Sequence, residues 1–274
     1  MSPTVDQYGL IGHPVAHSLS PFIHSLFARQ TGQSMTYRLY DVEPENFRAR
    51  VMELAAEGVR GLNVTVPHKV AAAQLCSELS ARAQRAGAVN TLTFNEDGRI
   101  TGDNTDGAGL IRDLRDNHGI ALQGRRILII GAGGAARGVL APLLALAPAR
   151  VVVANRTAEK AWALAADFAD LGSVQGCGFE ELTTPFDLVI NATSASLSGQ
   201  TPAVSPAVIG PGAVCYDMAY GKQDTPFMLW AKAHGCGTAL QGWGMLVEQA
   251  AESFCIWRGV RPDTASVLAA LESR

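Results

Sequence analysis

Short apolar runs alternate along this chain with segments whose apolar residues recur at helical spacing. The pattern predicts a strand over Tyr8–Gly12, a helix over Pro21–Gln30, a strand over Met35–Val42, a helix over Glu45–Glu57 and a strand over Gly61–Val66. Such alternation argues for parallel βαβ units. A hairpin follows, Asn90–Phe94 and Arg99–Asp103, turned by Asn95-Glu96-Asp97-Gly98, and then an amphipathic helix around Leu110, Ile111 and Leu114. A second strand and helix series starts afresh at Arg125. Its strands are expected over Arg126–Ile130, Arg150–Asn155, Phe186–Asn191, Ala213–Met218 and Thr238–Leu240. After Gly242-Trp243-Gly244 a long helix puts Leu246, Ala250 and Phe254 on one face, and a short helix closes the chain. The fold class read from this pattern is α/β with two domains, as a length of 274 residues also suggests.

Two segments interrupt the apolar pattern with chemistry. The first is Asn63-Val64-Thr65-Val66-Pro67-His68-Lys69. Alternation sends Asn63 and Thr65 to one face, Pro67 ends the ladder, and Lys69 arrives near the strand's carboxyl end, where open α/β sheets bind ligands. The segment reads as an edge that binds a polyol or an acid with an amine at hand. It reads equally as a strand end whose Asn and Thr make turn bonds and whose Lys is solvated.

The second is Gly131-Ala132-Gly133-Gly134-Ala135-Ala136-Arg137, between the strand Ile127–Ile130 and an Ala- and Leu-rich helix. It fits GxGxx(G/A): a tight turn at Gly131, close backbone approach to a pyrophosphate at Gly133, and helix amides aimed at that charge. The next strand ends Asn155-Arg156-Thr157, with Lys160 one turn on and no acid for a ribose diol. That set of donors and cations suits the 2′-phosphate of NADP. Alternatively, Asn155 or Thr157 caps a helix with Arg156 and Lys160 solvated on it.

Composition narrows the field. The apolar fraction of 47% and the charged fraction of 17% are those of a soluble globular protein rather than a disordered one. A net charge of −3 gives no general field for nucleic acid or anionic lipid, so an anionic ligand must be bound locally. Cys76, Cys177, Cys215, Cys236 and Cys255 are odd in number and contain no CxxC, which fits a reducing cytoplasm and neither a disulfide framework nor a zinc site. The six histidines do not form a spaced metal set. No targeting or membrane segment is expected: the longest apolar stretch, Gly138–Ala149, is too short to span a bilayer and contains Pro142.

Further polar clusters are His17-Ser18-Leu19-Ser20-Pro21 and Gly102-Asp103-Asn104-Thr105-Asp106-Gly107. Ser20 before Pro21 makes a good helix N-cap, and Ser18 has no comparable structural explanation. Together with Ala88-Val89-Asn90-Thr91, Asn191-Ala192-Thr193-Ser194, Tyr216-Asp217-Met218-Ala219-Tyr220 and Gly242-Trp243-Gly244-Met245-Leu246, these motifs occur in the order seen in shikimate dehydrogenases. The chain resembles that family over nearly its whole length.

The resemblance implies a discontinuous substrate domain of residues 1–106 with 242–274, and a Rossmann-type NADP-binding domain of residues 107–241. It implies shikimate contacts from Ser18, Ser20, Asn63, Thr65, Lys69, Asn90, Asp106, Tyr220 and Gln249, with Lys69 and Asp106 as the catalytic pair. It implies a cofactor site of Gly131, Ala132, Gly133, Gly134, Ala135, Asn155, Arg156, Thr157, Lys160, Met218 and Gly242. Ala81 stands where some relatives have an acid near the cofactor, and is left out.

The implied activity is reversible, NADPH-dependent reduction of 3-dehydroshikimate to shikimate, a step toward chorismate and the aromatic amino acids. No metal, nucleic acid or membrane takes part, and the expected assembly is a monomer or a homodimer. An Asp beside a Lys favours the ammonium needed to protonate the ketone oxygen. Without an Arg for the substrate carboxylate, the hydroxyls of Ser18, Ser20 and Tyr220 are the available donors. Within the same class, a paralogue acting on quinate or an amino-shikimate stays open. So does a non-catalytic ligand sensor of the same fold, although such a sensor is expected to lose the Lys or the Asp.

Overall fold

The computed structural model describes residues 5–272. The chain divides into two compact units, Met1–Gly109 with Leu246–Arg274, and Leu110–Met245. Both divisions fall inside helices, α5 (Asp106–Arg112) and α9 (Trp243–Arg258), a few residues beyond Asp106 and Gly242.

In the first unit six strands form one sheet: β1 (Asp6–Gly12), β2 (Met35–Asp41), β3 (Val59–Val64), β4 (Glu78–Leu79), β5 (Thr91–Phe94) and β6 (Ile100–Asp103). Their order is β2-β1-β3-β5-β6-β4. The first three strands are parallel, as the βαβ pattern requires, and the hairpin β5–β6 adds antiparallel to β3. One face of the sheet packs Ile11, Leu62, Val64 and Leu92 against Phe47, Val51 and Leu54 of α2 (Phe47–Ala56). A separate cluster joins Ile23 and Phe27 of α1 (Ser20–Thr31) to Val247, Ala250 and Phe254 of α9 and Val267 of α10 (Ala265–Glu272). Gly61 makes room for α9. A Cβ there would come within 2.5 Å of Trp257 Nε1, which donates to the Leu92 carbonyl at 3.1 Å.

The second unit is a wholly parallel sheet of β7 (Arg126–Ile130), β8 (Arg150–Ala154), β9 (Val174–Cys177), β10 (Phe186–Asn191), β11 (Ile209–Asp217) and β12 (Thr238–Gln241). The order β12-β11-β10-β7-β8-β9 is that of a doubly wound Rossmann sheet, and its strand order reverses at β7. Alternation splits the core into two layers. Ile127 and Ile129 pack with Val139 and Leu143 of α6 (Gly134–Leu144) and Leu164 of α7 (Ala158–Asp167). Leu128 and Ile130 pack with Phe227 and Ala231 of α8 (Pro226–Ala233) on the opposite face.

Several local expectations shift. The third strand runs Val59–Val64 rather than Gly61–Val66, because the chain turns at Thr65. The helix expected from Glu45 opens as a 3-10 turn, Pro44–Asn46, before α2. Ser20 is not the side-chain cap of α1: it is the first helical residue, and its backbone N–H donates to Ser18 Oγ at 3.2 Å. Leu19 takes the N-cap position and no side chain caps the helix, so Ser18 Oγ receives the Ser20 N–H without acting as a cap. The edge strands β4 and β9 were not expected. Glu78–Leu79 is two residues long, and Val174-Gln175-Gly176-Cys177 has no alternation. The latter pairs because Gly176 lets the Ala161 backbone of α7 approach.

Candidate active site

In the first unit, β3 ends in Val64, and the chain turns through Thr65, whose N–H donates to the Ile11 carbonyl at 3.0 Å, into α3 (Lys69–Ala73). His68 is buried in that turn. Its ring stacks on Phe47 with centroids 4.4 Å apart, and Nε2 donates to the Val42 carbonyl at 2.7 Å. The next residue, Lys69, is thereby anchored from behind at the start of α3. Its Nζ donates to Asp106 Oδ2 at 2.6 Å, and the carboxylate is only 4% exposed. Asp106 opens α5, and its backbone N–H donates to Asn104 Oδ1 at 3.2 Å.

Asn90 organises the surrounding groups. Its Nδ2 lies 2.9 Å from Asp106 Oδ1, 2.8 Å from Thr105 Oγ1 and 3.1 Å from Gln249 Oε1 of α9. Its Oδ1 accepts from the Thr105 N–H at 2.9 Å and from Thr91 Oγ1 at 2.8 Å. Asn63 is buried beside it. Its Nδ2 donates to Ser253 Oγ at 2.9 Å and to the Asn90 carbonyl at 3.2 Å, and its Oδ1 accepts from Tyr37 at 2.8 Å. Lys69, Asp106, Asn90, Gln249 and Asn63 thus belong to one continuous hydrogen-bonded network. Ser18 and Ser20 lie together, with Oγ atoms 3.1 Å apart.

A charged tie holds the network's backing. Arg82 of α4 (Ala81–Ala86) grips Asp103 with Nε at 2.6 Å and Nη2 at 2.9 Å, and reaches Glu252 of α9 at 3.1 Å. Arg261 spans Glu252 and Glu248 at 2.8 and 2.7 Å. The strand end before Asp106 and the helix bearing Gln249 are therefore fixed to each other through fork-shaped contacts.

Sequence reasoning missed Tyr37, Thr91, Thr105 and Ser253. Only Ser253 had a readable signal, since it lies four residues after Gln249 on one helical face. Tyr220 belongs to the second unit, where its ring packs 4.6 Å from that of Trp243.

In the second unit the glycine-rich turn follows β7. Gly131 has φ +108, a conformation that disfavours a side chain, and a Cβ on it would lie 3.0 Å from the Thr193 methyl. Gly133 is exposed, and a Cβ there would meet no protein atom within 4 Å. Packing does not demand that glycine, whereas backbone approach to a phosphate does. No side chain caps α6, so its first amides are left to an anion.

At the end of β8, Asn155 Nδ2 donates to the Thr157 carbonyl at 2.9 Å, and Thr157 makes no side-chain cap to α7. The capping alternative for these residues is therefore not realised. Arg156 and Lys160 are exposed and have no salt bridge among the described residues. Gly242 brings its backbone against Met218, whose carbonyl oxygen would lie 2.4 Å from a Cβ at that glycine. Asp217 secures the adjoining loops by accepting from Ser196 and Thr225 at 2.6 Å each and from Asn191 at 3.0 Å. Burial raises its carboxyl pKa, with these bonds opposing the shift. The residues present fit a dinucleotide bearing an extra phosphate on its adenosine ribose.

Among the described residues no group of three or more His, Cys, Asp or Glu is placed to hold a metal ion, and no helix is long and apolar enough to cross a membrane.

Three family profiles match the chain: the shikimate dehydrogenase substrate binding domain over residues 10–92, shikimate/quinate 5-dehydrogenase over 114–202, and the shikimate 5′-dehydrogenase C-terminal domain over 242–272. The shikimate dehydrogenase (NADP(+)) of Alkalilimnicola ehrlichii is 57% identical, covering 97% of this chain and 98% of that protein. Among solved structures, an Ael1 enzyme from Pseudomonas putida is 44% identical with a TM-score of 0.89, covering 97% of this chain and 98% of the other. Shikimate 5-dehydrogenase from Thermus thermophilus, in complex with NADP(H) and shikimate, is 32% identical with a TM-score of 0.84, covering 98% and 99%.

Proposed function

The chain belongs to the shikimate dehydrogenase family, and we propose that it catalyses the reversible NADP-dependent reduction of 3-dehydroshikimate to shikimate with Lys69 as proton donor and acceptor beside Asp106. The observation that carries the residue assignment is the 2.6 Å contact between Lys69 and a nearly buried Asp106, inside a network that also holds Asn90 and Gln249. A bound NADPH would supply a hydride to the ketone carbon. In reduction the Lys69 ammonium gives a proton to the ketone oxygen, and in oxidation its free amine takes the hydroxyl proton. Asp106 is gripped on Oδ1 by Asn90, which leaves Oδ2 to hold Lys69 in place. Asn63, Thr65, Asn90 and Gln249 present amide and hydroxyl groups to the ring hydroxyls of the substrate, and Ser18 and Ser20 donate to its carboxylate.

Gly131, Ala132, Gly133, Gly134 and Ala135 with the start of α6 would hold the pyrophosphate. Asn155, Arg156, Thr157 and Lys160 would surround the 2′-phosphate, and Met218 and Gly242 would complete the cofactor site. All five cysteines are free thiols, which supports a cytoplasmic location.

The reaction is tested by following nicotinamide absorbance with shikimate or quinate against NADP or NAD. Oxidation of quinate with NAD in preference to shikimate with NADP would overturn the proposal. Arg156→Ala tests the phosphate clamp. It removes a charge-assisted partner worth about 1.5–3 kcal/mol, so the KM for NADP should rise roughly tenfold to a hundredfold. NAD lacks the phosphate, and its KM should scarcely move. Equal weakening of both cofactors would make Arg156 a structural residue. Arg156→Ala is a cleaner probe than Asn155→Asp, which would also break the bond from Asn155 to the Thr157 carbonyl.

A further inference from the structure

His24 takes no part in the chemistry above. Yet it is wholly buried, and neither ring nitrogen has a hydrogen-bond partner among the described residues. Unpaired buried nitrogens are a cost to the fold. The position of the ring indicates what offsets it. His24 lies one turn after Ser20 on the buried face of α1. Its ring stacks on Tyr37 of β2, with centroids 4.2 Å apart and planes within 9°. From α9, Phe254 and Trp257 approach it at 6.2 and 5.7 Å. Neighbours of this stack hold Asn63: the Tyr37 hydroxyl donates to Oδ1, and Ser253, next to Phe254, accepts from Nδ2. The imidazole therefore touches all three elements that carry Ser20, Tyr37 and Ser253.

We propose that His24 is a positioning residue for substrate binding, a flat uncharged ring whose stack on Tyr37 sets the carboxamide of Asn63 and the start of α1 with Ser20. The inference rests on the reading that Asn63 and Ser20 contact the substrate. A flat ring fixes the plane of its aromatic neighbour, whereas a flexible aliphatic chain of similar bulk lets that ring tilt. Tilting Tyr37 moves its hydroxyl away from Asn63 Oδ1, and the amide loses its fixed orientation.

Steady-state kinetics in shikimate and in NADP, with a thermal melt of each protein, test this on His24→Leu, His24→Phe and Asn63→Ala. Loss of one aromatic pair should raise the KM for shikimate about five- to tenfold in His24→Leu, with kcat and the KM for NADP within about twofold of wild type. His24→Phe, which keeps the flat face, should stay within about twofold in all three constants. A purely structural role would lower the melting temperature of the Leu variant and leave this KM unmoved. A wild-type KM in His24→Leu beside a raised KM in Asn63→Ala overturns the inference and leaves the site reading standing. An unchanged KM in Asn63→Ala removes both. A Phe variant as impaired as the Leu variant would assign the effect to the ring nitrogens and also overturn the proposal. Should His24→Leu not fold, His24→Met carries the same comparison.

Discussion

Lys69→Ala is expected to lower kcat by about 10²–10⁴-fold, the usual size of a general acid–base contribution, while shikimate still binds. The geometry explains both halves of that expectation. The ammonium is the cation on Asp106 Oδ2, at 2.6 Å, whereas Asn63, Asn90 and Gln249 are held by other partners and survive its removal. Asp106→Ala should be severely impaired too, because it frees Lys69 and removes an acceptor of Asn90 Nδ2. Since the two act as a unit, the double variant should be little slower than the worse single one. Single-turnover rates and shikimate binding by calorimetry, on all three folded variants, provide the check. A Lys69→Ala enzyme with near wild-type kcat sinks the assignment, and fully additive losses mean that the two residues work separately.

The second large effect is on stability in acid. Burial among Tyr37, Phe27, Phe254 and Trp257 lowers the His24 pKa from 6.5 to about 3; the nearby Asn63 amide opposes the shift although it makes no hydrogen bond of normal geometry to the ring, and no charged side chain belongs to that aromatic set. The sign follows from which state takes the proton. Above 6.5 the imidazole is neutral whether the chain is folded or not, so there is no penalty. Between 6.5 and about 3 the unfolded chain binds a proton that the folded chain refuses. Stability should therefore fall with pH by up to about 1.4 kcal/mol per unit across that window, from this residue alone. His24→Phe removes the titration, so its urea midpoint should decline less steeply than that of wild type from about pH 7 to about pH 4. Parallel declines in the two proteins would show that the folded state admits the proton at little cost.

What could be read along the chain is what depends on near neighbours. Strand and helix alternation revealed the parallel strands of both sheets, and the run Ile127–Ile130 before Gly131 marked the nucleotide turn, because a buried parallel strand is apolar on both faces. The polar residues Asn63, Lys69, Asn90 and Asp106 stood out because each interrupts or ends an apolar element. Segments without alternation were illegible: β9 exists because Gly176 admits the backbone of α7, and β4 is a two-residue pairing with β6. The Ser20 cap failed as well. A hydroxyl near a helix start can cap it, yet here Leu19 takes the N-cap position and neither Ser18 nor Ser20 caps α1.

By itself, then, the sequence determined the fold class and the place of the glycine-rich turn after β7, since local backbone preference and side-chain periodicity act over a few residues, whereas the pairing of Lys69 with Asp106 was implied by the family resemblance. The tertiary structure alone decided which groups meet. Asn90 reaches Gln249 across 159 positions, Asn63 reaches Ser253 across 190, and Arg82 ties Asp103 to Glu252. No pattern within a window encodes such pairs, because they form only when α9 packs on the sheet and the polar groups it buries must find partners there.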